Sequence, residues 1–268
     1  MSEIPPYSQG PSGYSPYPRD NYGGSDPYGG NPNQRPPGVY FDYIGIAWRL
    51  IQPNLGTWVL ATLLMFVVTW AINLPVSFLN LFLNQGSPRN VANPFGSLVI
   101  TLPLSFIAGV VGQVVYGGYI MMGVKQARNE RIEIADLFVG FRSAGAIIGA
   151  SFLTTLSIYL GIILLIIPGL FLVGLYAFVP LLIIDRKMGA IQALQECYDN
   201  LRSYAFSIFG LLFVTGLVVG LGVFACCVGL LFTVPLQAVV VGLTYNNFYP
   251  PIYSQQNYQQ IGVEPPRY

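Results

Sequence analysis

The sequence predicts an all-α fold, a polytopic helical membrane bundle of six transmembrane helices with three interfacial amphipathic helices and disordered N- and C-terminal arms. Three observations predict it. Of 268 residues, 53% are apolar and only 9% charged, about a third of the ionic content of a soluble domain. Residues 50–88, 90–124, 143–184 and 203–263 carry no charged side chain at all. Both ends are instead rich in Pro, Gly, Tyr and Gln.

Residues 1–38 hold nine Pro and seven Gly, with Tyr7, Tyr14, Tyr17, Tyr22 and Tyr28 between them. So few aliphatic side chains cannot offset the entropy of ordering, and a disordered arm is expected. The stretch lacks the basic start and apolar core of a signal peptide, so insertion would rely on the internal apolar segments. Residues 39–248 form the expected membrane domain, and residues 249–268 a second disordered tail. A helix rises 1.5 Å per residue, so about 20 residues cross a hydrocarbon core of about 30 Å. The first two charge-free runs each supply one span, at residues 56–79 and 95–124, joined by a polar loop over residues 84–90. The third run crosses twice if it turns at Ile167-Pro168-Gly169, where proline breaks a helix and glycine permits reversal. The fourth has length for two crossings with a turn near Cys226, Cys227, Val228 and Gly229. A four-span alternative treats these last two pairs as long tilted or re-entrant segments. With six spans, every Lys and Arg except Arg89 falls on the side of the two termini. The positive-inside rule then places both termini in the cytoplasm and the chain in the cytoplasmic membrane.

Three short segments precede the spans and share one spacing. Ile44, Ala47, Trp48 and Ile51 lie at i, i+3, i+4 and i+7, and so do Ile134, Leu137, Phe138 and Phe141, and Leu194, Cys197, Tyr198 and Leu201. That is one face of an α-helix. Each segment carries an arginine near its end, Arg49, Arg142 or Arg202, and an apolar run follows within a few residues. A helix lying in the headgroup layer fits, with Trp48, Phe138 and Tyr198 toward lipid and the arginines toward phosphate. Three units of interfacial helix plus two spans would make an internal repeat.

The run from Ile167-Pro168-Gly169 through Phe178-Val179-Pro180-Leu181, then Asp185, Ala190-Ile191-Gln192-Ala193-Leu194 and Gly242-Leu243-Thr244-Tyr245-Asn246-Asn247-Phe248, resembles a group of uncharacterised bacterial multi-pass integral-membrane proteins. That group is related to the membrane domain found ahead of some glycerophosphodiester phosphodiesterases. The resemblance covers roughly residues 40–248 and implies a six-span helical fold. It transfers no catalytic residue, because the phosphodiesterase chemistry belongs to a separate soluble domain. Members of the group carry a Ser-Trp pair where this chain has Cys197-Tyr198, so no role of that pair carries over.

Several function classes are disfavoured by composition. There is no histidine, and 12 Lys and Arg balance 11 Asp and Glu, which removes imidazole chemistry and the electrostatic footprint of a nucleic-acid binder. No ionisable residue falls inside the expected spans, whereas proton-coupled carriers and intramembrane proteases place such groups at membrane depth. Paired catalytic carboxylates, a Walker loop and metal spacings are absent, so neither an enzyme nor a cofactor is expected. Cys197, Cys226 and Cys227 read as free thiols in apolar surroundings.

Neutral polar residues do enter the spans. Gln113, Tyr116 and Gln237 are candidates for a polar path, set against the plainer reading that they make interhelical hydrogen bonds, as Asn73, Thr154 and Thr244 would. Pro103, Pro180 and Pro235 fall one in each second helix and are candidate helix breaks that could bare backbone carbonyls. Gly145/Gly149, Gly216/Gly220, Ser105/Gly109 and Ala108/Gly112 form small-xxx-small pairs suited to close packing within the bundle or between copies. Pro250-Pro251-Ile252-Tyr253 has the PPxY form, which composition alone can produce. The preferred expectation is a noncatalytic membrane protein that organises lipids, or protein partners through its arms. The alternative is a channel or transporter for a neutral or amphipathic solute.

Overall fold

The computed structural model describes residues 35, 37–85, 94–224 and 228–251. Among the described residues every regular element is helical. Helix α1 (Tyr43–Ile51) passes through a 3-10 turn at Gln52–Asn54 into α2 (Leu55–Gln85), and α3 (Pro94–Ala127) follows. A 3-10 helix, Ile134–Ser143, leads directly into α4 (Ala144–Leu164), which is followed by α5 (Ile166–Leu175) and α6 (Val179–Arg186). Then come α7 (Ala190–Leu201), α8 (Ala205–Phe224) and α9 (Leu230–Phe248). Short helix, long helix and second helix thus occur in that order three times.

Among the described residues five stretches are long and apolar enough to cross a membrane: Tyr43–Leu81, Pro103–Ala127, Ile134–Leu164, Ile167–Arg186 and Ala205–Val223. The expected sixth, α9, stands outside this set. Its composition has a physical reason: from Pro235 to Phe248 almost every residue is buried, so it meets protein where the other helices meet lipid. It can therefore carry Gln237, Thr244, Asn246 and Asn247 without exposing them to hydrocarbon.

Helices α3 and α9 form a central wall between two cores. Val114, Met121 and Val124 of α3 join Val241 and Tyr245 of α9 in a cluster with α4 to α8. Val115, Tyr119 and Met122 of α3 join Val239, Val240 and Leu243 of α9 in a second cluster with α1 and α2. The wall is tight because the two backbones touch. A Cβ on Gly123 would overlap the Ala238 carbonyl, and one on Gly242 would overlap the Gly123 carbonyl. Gly118 admits the Leu137 carbonyl of the 3-10 helix in the same way, and Gly174 of α5 admits the Ala205 carbonyl of α8. These glycines do what the small-xxx-small pairs were expected to do. Gly109, Gly112, Gly145, Gly216 and Gly220 instead face open space, and Gly149 makes only an ordinary contact with Ala190.

The amphipathic segments differ in detail from the expected stripes. In α1 the buried residues are Tyr43, Ile46, Ala47 and Ile51, while Trp48 is 42% exposed. The second segment is 3-10, so its period is near three. Leu137 and Gly140 turn inward, and Phe138 and Phe141 turn outward together, their ring centroids 6.2 Å apart. Close approach to Gly118 of α3 favours this narrower helix, because its cross-section is smaller. In α7 Ala193, Cys197 and Leu201 are buried, and Tyr198 is exposed.

Of the three candidate helix breaks, only Pro180 stands at one. The chain leaves helical geometry at residues 176–178, and Pro180 sits in the first turn of α6, where its missing N–H is no loss. Pro103 and Pro235 lie inside unbroken helices, as does Pro75. The turn expected at Ile167-Pro168-Gly169 occurs at Leu165, whose backbone is extended, and Pro168 lies in the first turn of α5 instead. The reversal expected near Cys226 and Cys227 lies largely outside the described residues, as do the loop residues 86–93. So do residues 1–34 and 252–268, which include most of both arms. Arg35 and Gly38, placed by composition in the first arm, are fastened to the bundle: Asn247 donates to the Arg35 carbonyl at 2.9 Å and accepts from the Gly38 N–H at 2.8 Å. Tyr249, placed in the tail, is likewise buried.

The wall makes a graded prediction. Gly123→Leu or Gly242→Leu should destabilise the detergent-solubilised protein by about 3 kcal/mol or more, since backbone must move. Gly216→Leu, entering open space, should stay within about 0.5 kcal/mol of the parent. Thermal unfolding followed by size-exclusion chromatography checks both.

Candidate functional site

Polar and charged side chains from the ends of α3, α6 and α9 meet at one end of the bundle. Arg128, just past α3, holds Asp185 of α6 through two hydrogen bonds of 2.7 Å. Its Nε donates to the side-chain Oδ1 of Asn246 in α9 at 2.8 Å, and Asn246 Nδ2 donates to the Val124 carbonyl at 3.2 Å. The Tyr245 hydroxyl donates to Asp185 at 2.9 Å. Both ionic side chains are nearly enclosed, at 7% and 14% exposure. Burial works against the Arg128 charge, but the bonds and charge of Asp185 outweigh it and hold the guanidinium above its ordinary pKa. Nearby, Lys125 pairs with Asp136 at 2.6 Å, and Arg186 lies over the Tyr249 ring at 5.1 Å. This clasp joins the ends of α3, α6 and α9. Its partners satisfy one another, so it fastens the bundle and offers no free group for chemistry.

The sequence motif of residues 242–247 is thereby accounted for. Gly242 permits the helix crossing, and Tyr245, Asn246 and Asn247 each bond a different segment. Sequence reading did not single out Arg128. Position gave only half a signal: Asp185 borders the charge-free run 143–184, whereas the run 90–124 is bordered by Lys125 and Arg128 lies three residues beyond it.

Below the clasp, at the middle of the helices, lies a cavity of about 420 Å³. Gln113 and Tyr116 of α3 and Gln237 of α9 all line it, together with Ser151, Thr154 and Thr155 of α4 and Tyr176 before the α5–α6 break. The structure therefore brings the three candidate polar-path residues to one place. Pro180 lines the same cavity, whereas Pro103 and Pro235 do not. Its remaining walls are apolar, among them Ile120, Ile147, Ile183 and Val241. Gln113 and Thr155 are exposed and Tyr116 is 39% exposed, so the cavity is open where α3 and α4 diverge.

The hydrogen bonding of the neutral polar residues divides into three groups. Asn73, Thr154 and Thr244 bond carbonyls of their own helices, four residues back. Thr62 of α2 and Tyr119 of α3 do make an interhelical bond, at 2.8 Å. Among the described residues the side chains of Gln113, Tyr116, Tyr176 and Gln237 form no hydrogen bond with the protein.

The interfacial candidates lie elsewhere. Trp48, Arg49, Phe138, Arg142, Tyr198 and Arg202 are all exposed, in pairs of one aromatic and one arginine on the three short helices. Cys197 is enclosed behind Tyr198, and burial, followed by the nearby Glu196 charge, pushes its thiol pKa up. That suppresses the reactive thiolate. Among the described residues no three Asp, Glu, Cys or His side chains gather to hold a metal.

Fold and composition together define a multi-pass α-helical membrane protein. In sequence the chain is similar to the UPF0259 membrane protein of Sodalis glossinidius (strain morsitans), with 28% identity over 105 residues, 37% of this chain and 42% of that protein. The matched part thus spans less than half the length of that relative. No protein-family model matches the chain, and no solved structure matches it.

The clasp yields a prediction of its own. Removing one partner by Arg128→Ala or Asp185→Ala should cost roughly 3–5 kcal/mol, because the other charge is left buried and unpaired. The double change Arg128→Met with Asp185→Leu should recover much of that loss. Denaturant titration in mixed micelles reads the difference.

Proposed function

We propose that the chain is a noncatalytic protein of the cytoplasmic membrane that organises anionic lipids around three interfacial short helices. The observation that carries this reading is the repeated exposed pairing of an aromatic ring with an arginine: Trp48 with Arg49, Phe138 with Arg142, Tyr198 with Arg202. Rings of this kind settle at headgroup depth, and each nearby arginine adds about 1 kcal/mol of attraction to anionic lipid. The six-span arrangement, with α9 as the sixth crossing and both termini cytoplasmic, puts all three pairs on the leaflet richest in positive loops. The resemblance to the membrane domain ahead of glycerophosphodiester phosphodiesterases fits a lipid-facing role. Protein partners would reach the bundle through the arms.

A second reading, a carrier or channel for a neutral or amphipathic solute, is favoured by the cavity that Gln113, Tyr116 and Gln237 line. The break at residues 176–178 gives that side of the bundle a hinge.

Lipid copurification tests the first reading. The wild-type chain should retain phosphatidylglycerol over phosphatidylethanolamine, and Arg49→Gln, Arg142→Gln and Arg202→Gln together should abolish the preference. An unchanged preference overturns it. The same protein in vesicles should not accelerate glycerol flux; flux lost on Gln113→Leu or Gln237→Leu would favour the second reading. Reporter fusions at the two ends should register the same compartment.

A further inference from the structure

We infer that the cavity between α3, α4, α6 and α9 is a binding site for the uncharged glycerol-ester head of a diacylglycerol, entered sideways from the membrane. This site is separate from the arginine and aromatic pairs and is compatible with either reading of the function.

The ligand's charge follows from the lining. Among the described residues no Asp, Glu, Lys, Arg or His lines the cavity. A phosphate or ammonium group brought to this depth would lose its hydration and meet no counter-charge, so a charged head is excluded. A plain hydrocarbon is disfavoured for the opposite reason. Gln113 and Gln237 each offer an amide with both donors and an acceptor, and Tyr116 and Tyr176 offer hydroxyls, none bonded to protein. Filling the space with methylene groups would strand these groups in a low-dielectric interior. The complementary molecule carries hydroxyl and carbonyl oxygens, no charge, and apolar flanks for Ile120, Ile147 and Ile183.

Size and access narrow it further. At about 30 Å³ for each water-sized group, the space holds about 14 such groups. That accommodates a glycerol with its two ester linkages and the first methylenes, but not whole acyl chains. The tails must leave, and the mouth lets them. On the same two helices, Phe106 and Ile107 of α3 and Phe152 and Leu156 of α4 are exposed, with Ile107 at 59% and Phe152 at 56%. All four lie within candidate spans, and Phe152 and Leu156 sit beside the exposed Thr155 on α4, so hydrocarbon is the medium that adjoins the mouth. On the other side the clasp of Arg128, Asp185 and Asn246 closes the helix ends. The entrance therefore faces acyl chains.

The test uses the full purified chain in detergent, incubated with dioleoylglycerol or with dioleoyl phosphatidic acid, and native mass spectrometry of the retained lipid. The wild type should retain one dioleoylglycerol. Gln113→Leu with Gln237→Leu should weaken retention by about tenfold, two lost hydrogen bonds being of that size together. Thr155→Trp, at the exposed mouth and outside the packed core, should block entry while leaving elution and thermal unfolding unchanged. Phosphatidic acid, with the same tails and a charged head, should show no loss with either variant. Equal dioleoylglycerol retention by wild type and both variants overturns the proposal. So does retention that falls only in the triple arginine variant, an outcome that would leave the interfacial lipid reading standing. Loss of the phosphatidylglycerol preference in that variant, with dioleoylglycerol binding intact, supports the cavity as a separate site.

Discussion

The backbone contact between α3 and α9 at Gly123 and Gly242 is the constraint on which the remaining structure depends. In a membrane, helices gain no hydrophobic free energy by leaving lipid for one another, so association rests on close packing and polar contacts. Two glycines facing each other bring the axes near enough for the side chains above and below to interlock on both sides. Val114, Met121 and Val124 then serve one core while Val115, Tyr119 and Met122 serve the other. A bulkier residue at either glycine would separate the wall and loosen both cores together.

The same closeness brings the clasp within reach. With α3 and α9 in contact, Asn246 can donate to the Val124 carbonyl and accept from Arg128. Arg128 is thereby aimed at Asp185 on α6, which ties in the half of the fold that the glycine contact does not touch. An ion pair this enclosed gives little or no net gain against an apolar substitute but penalises every arrangement that separates its members. Its contribution is therefore to the choice of helix arrangement more than to the depth of the minimum. The Tyr245 hydroxyl gives Asp185 a third hydrogen bond, so both carboxylate oxygens are engaged.

Much of the helical outline was legible because charge is excluded from hydrocarbon. The charge-free runs mark where α2, α3, α4 with α5, and α8 lie, and the borders of those runs mark the helix ends. What was less legible depended on neighbours. The small-xxx-small spacing pointed to Gly216 and Gly220, yet these face open space, because spacing reports which residues share a face and not whether a helix comes to meet it. Prolines were ambiguous for a related reason. Pro103 and Pro235 continue their helices, while Pro180 begins one, and nothing local to these residues distinguishes them. The segment with Phe138 and Phe141 read as an α stripe, but contact with Gly118 makes it 3-10 and sends both rings outward. Gln113, Tyr116 and Gln237 could be picked out as polar groups at membrane depth. Their convergence could not, since residues on α3 and α9 are related only through the crossing.

The distribution of polarity has a mechanical consequence for the cavity. The bundle keeps its ionic groups at the clasp and the short helices, and leaves the middle with amides and hydroxyls alone. Amides hydrogen-bond well but carry no net charge, so a neutral ligand can enter and leave without a titration step or a counter-ion. The clasp holds α6 firmly at its Asp185 end, while the break at residues 176–178 separates it from α5. Any widening of the cavity would therefore be taken up by α4, which carries Thr155 at the mouth, and by α5, which ends just before Tyr176 of the lining. Because the α3–α9 wall stays fixed by its backbone contact, such motion would change access while leaving Gln113 and Gln237 at constant separation.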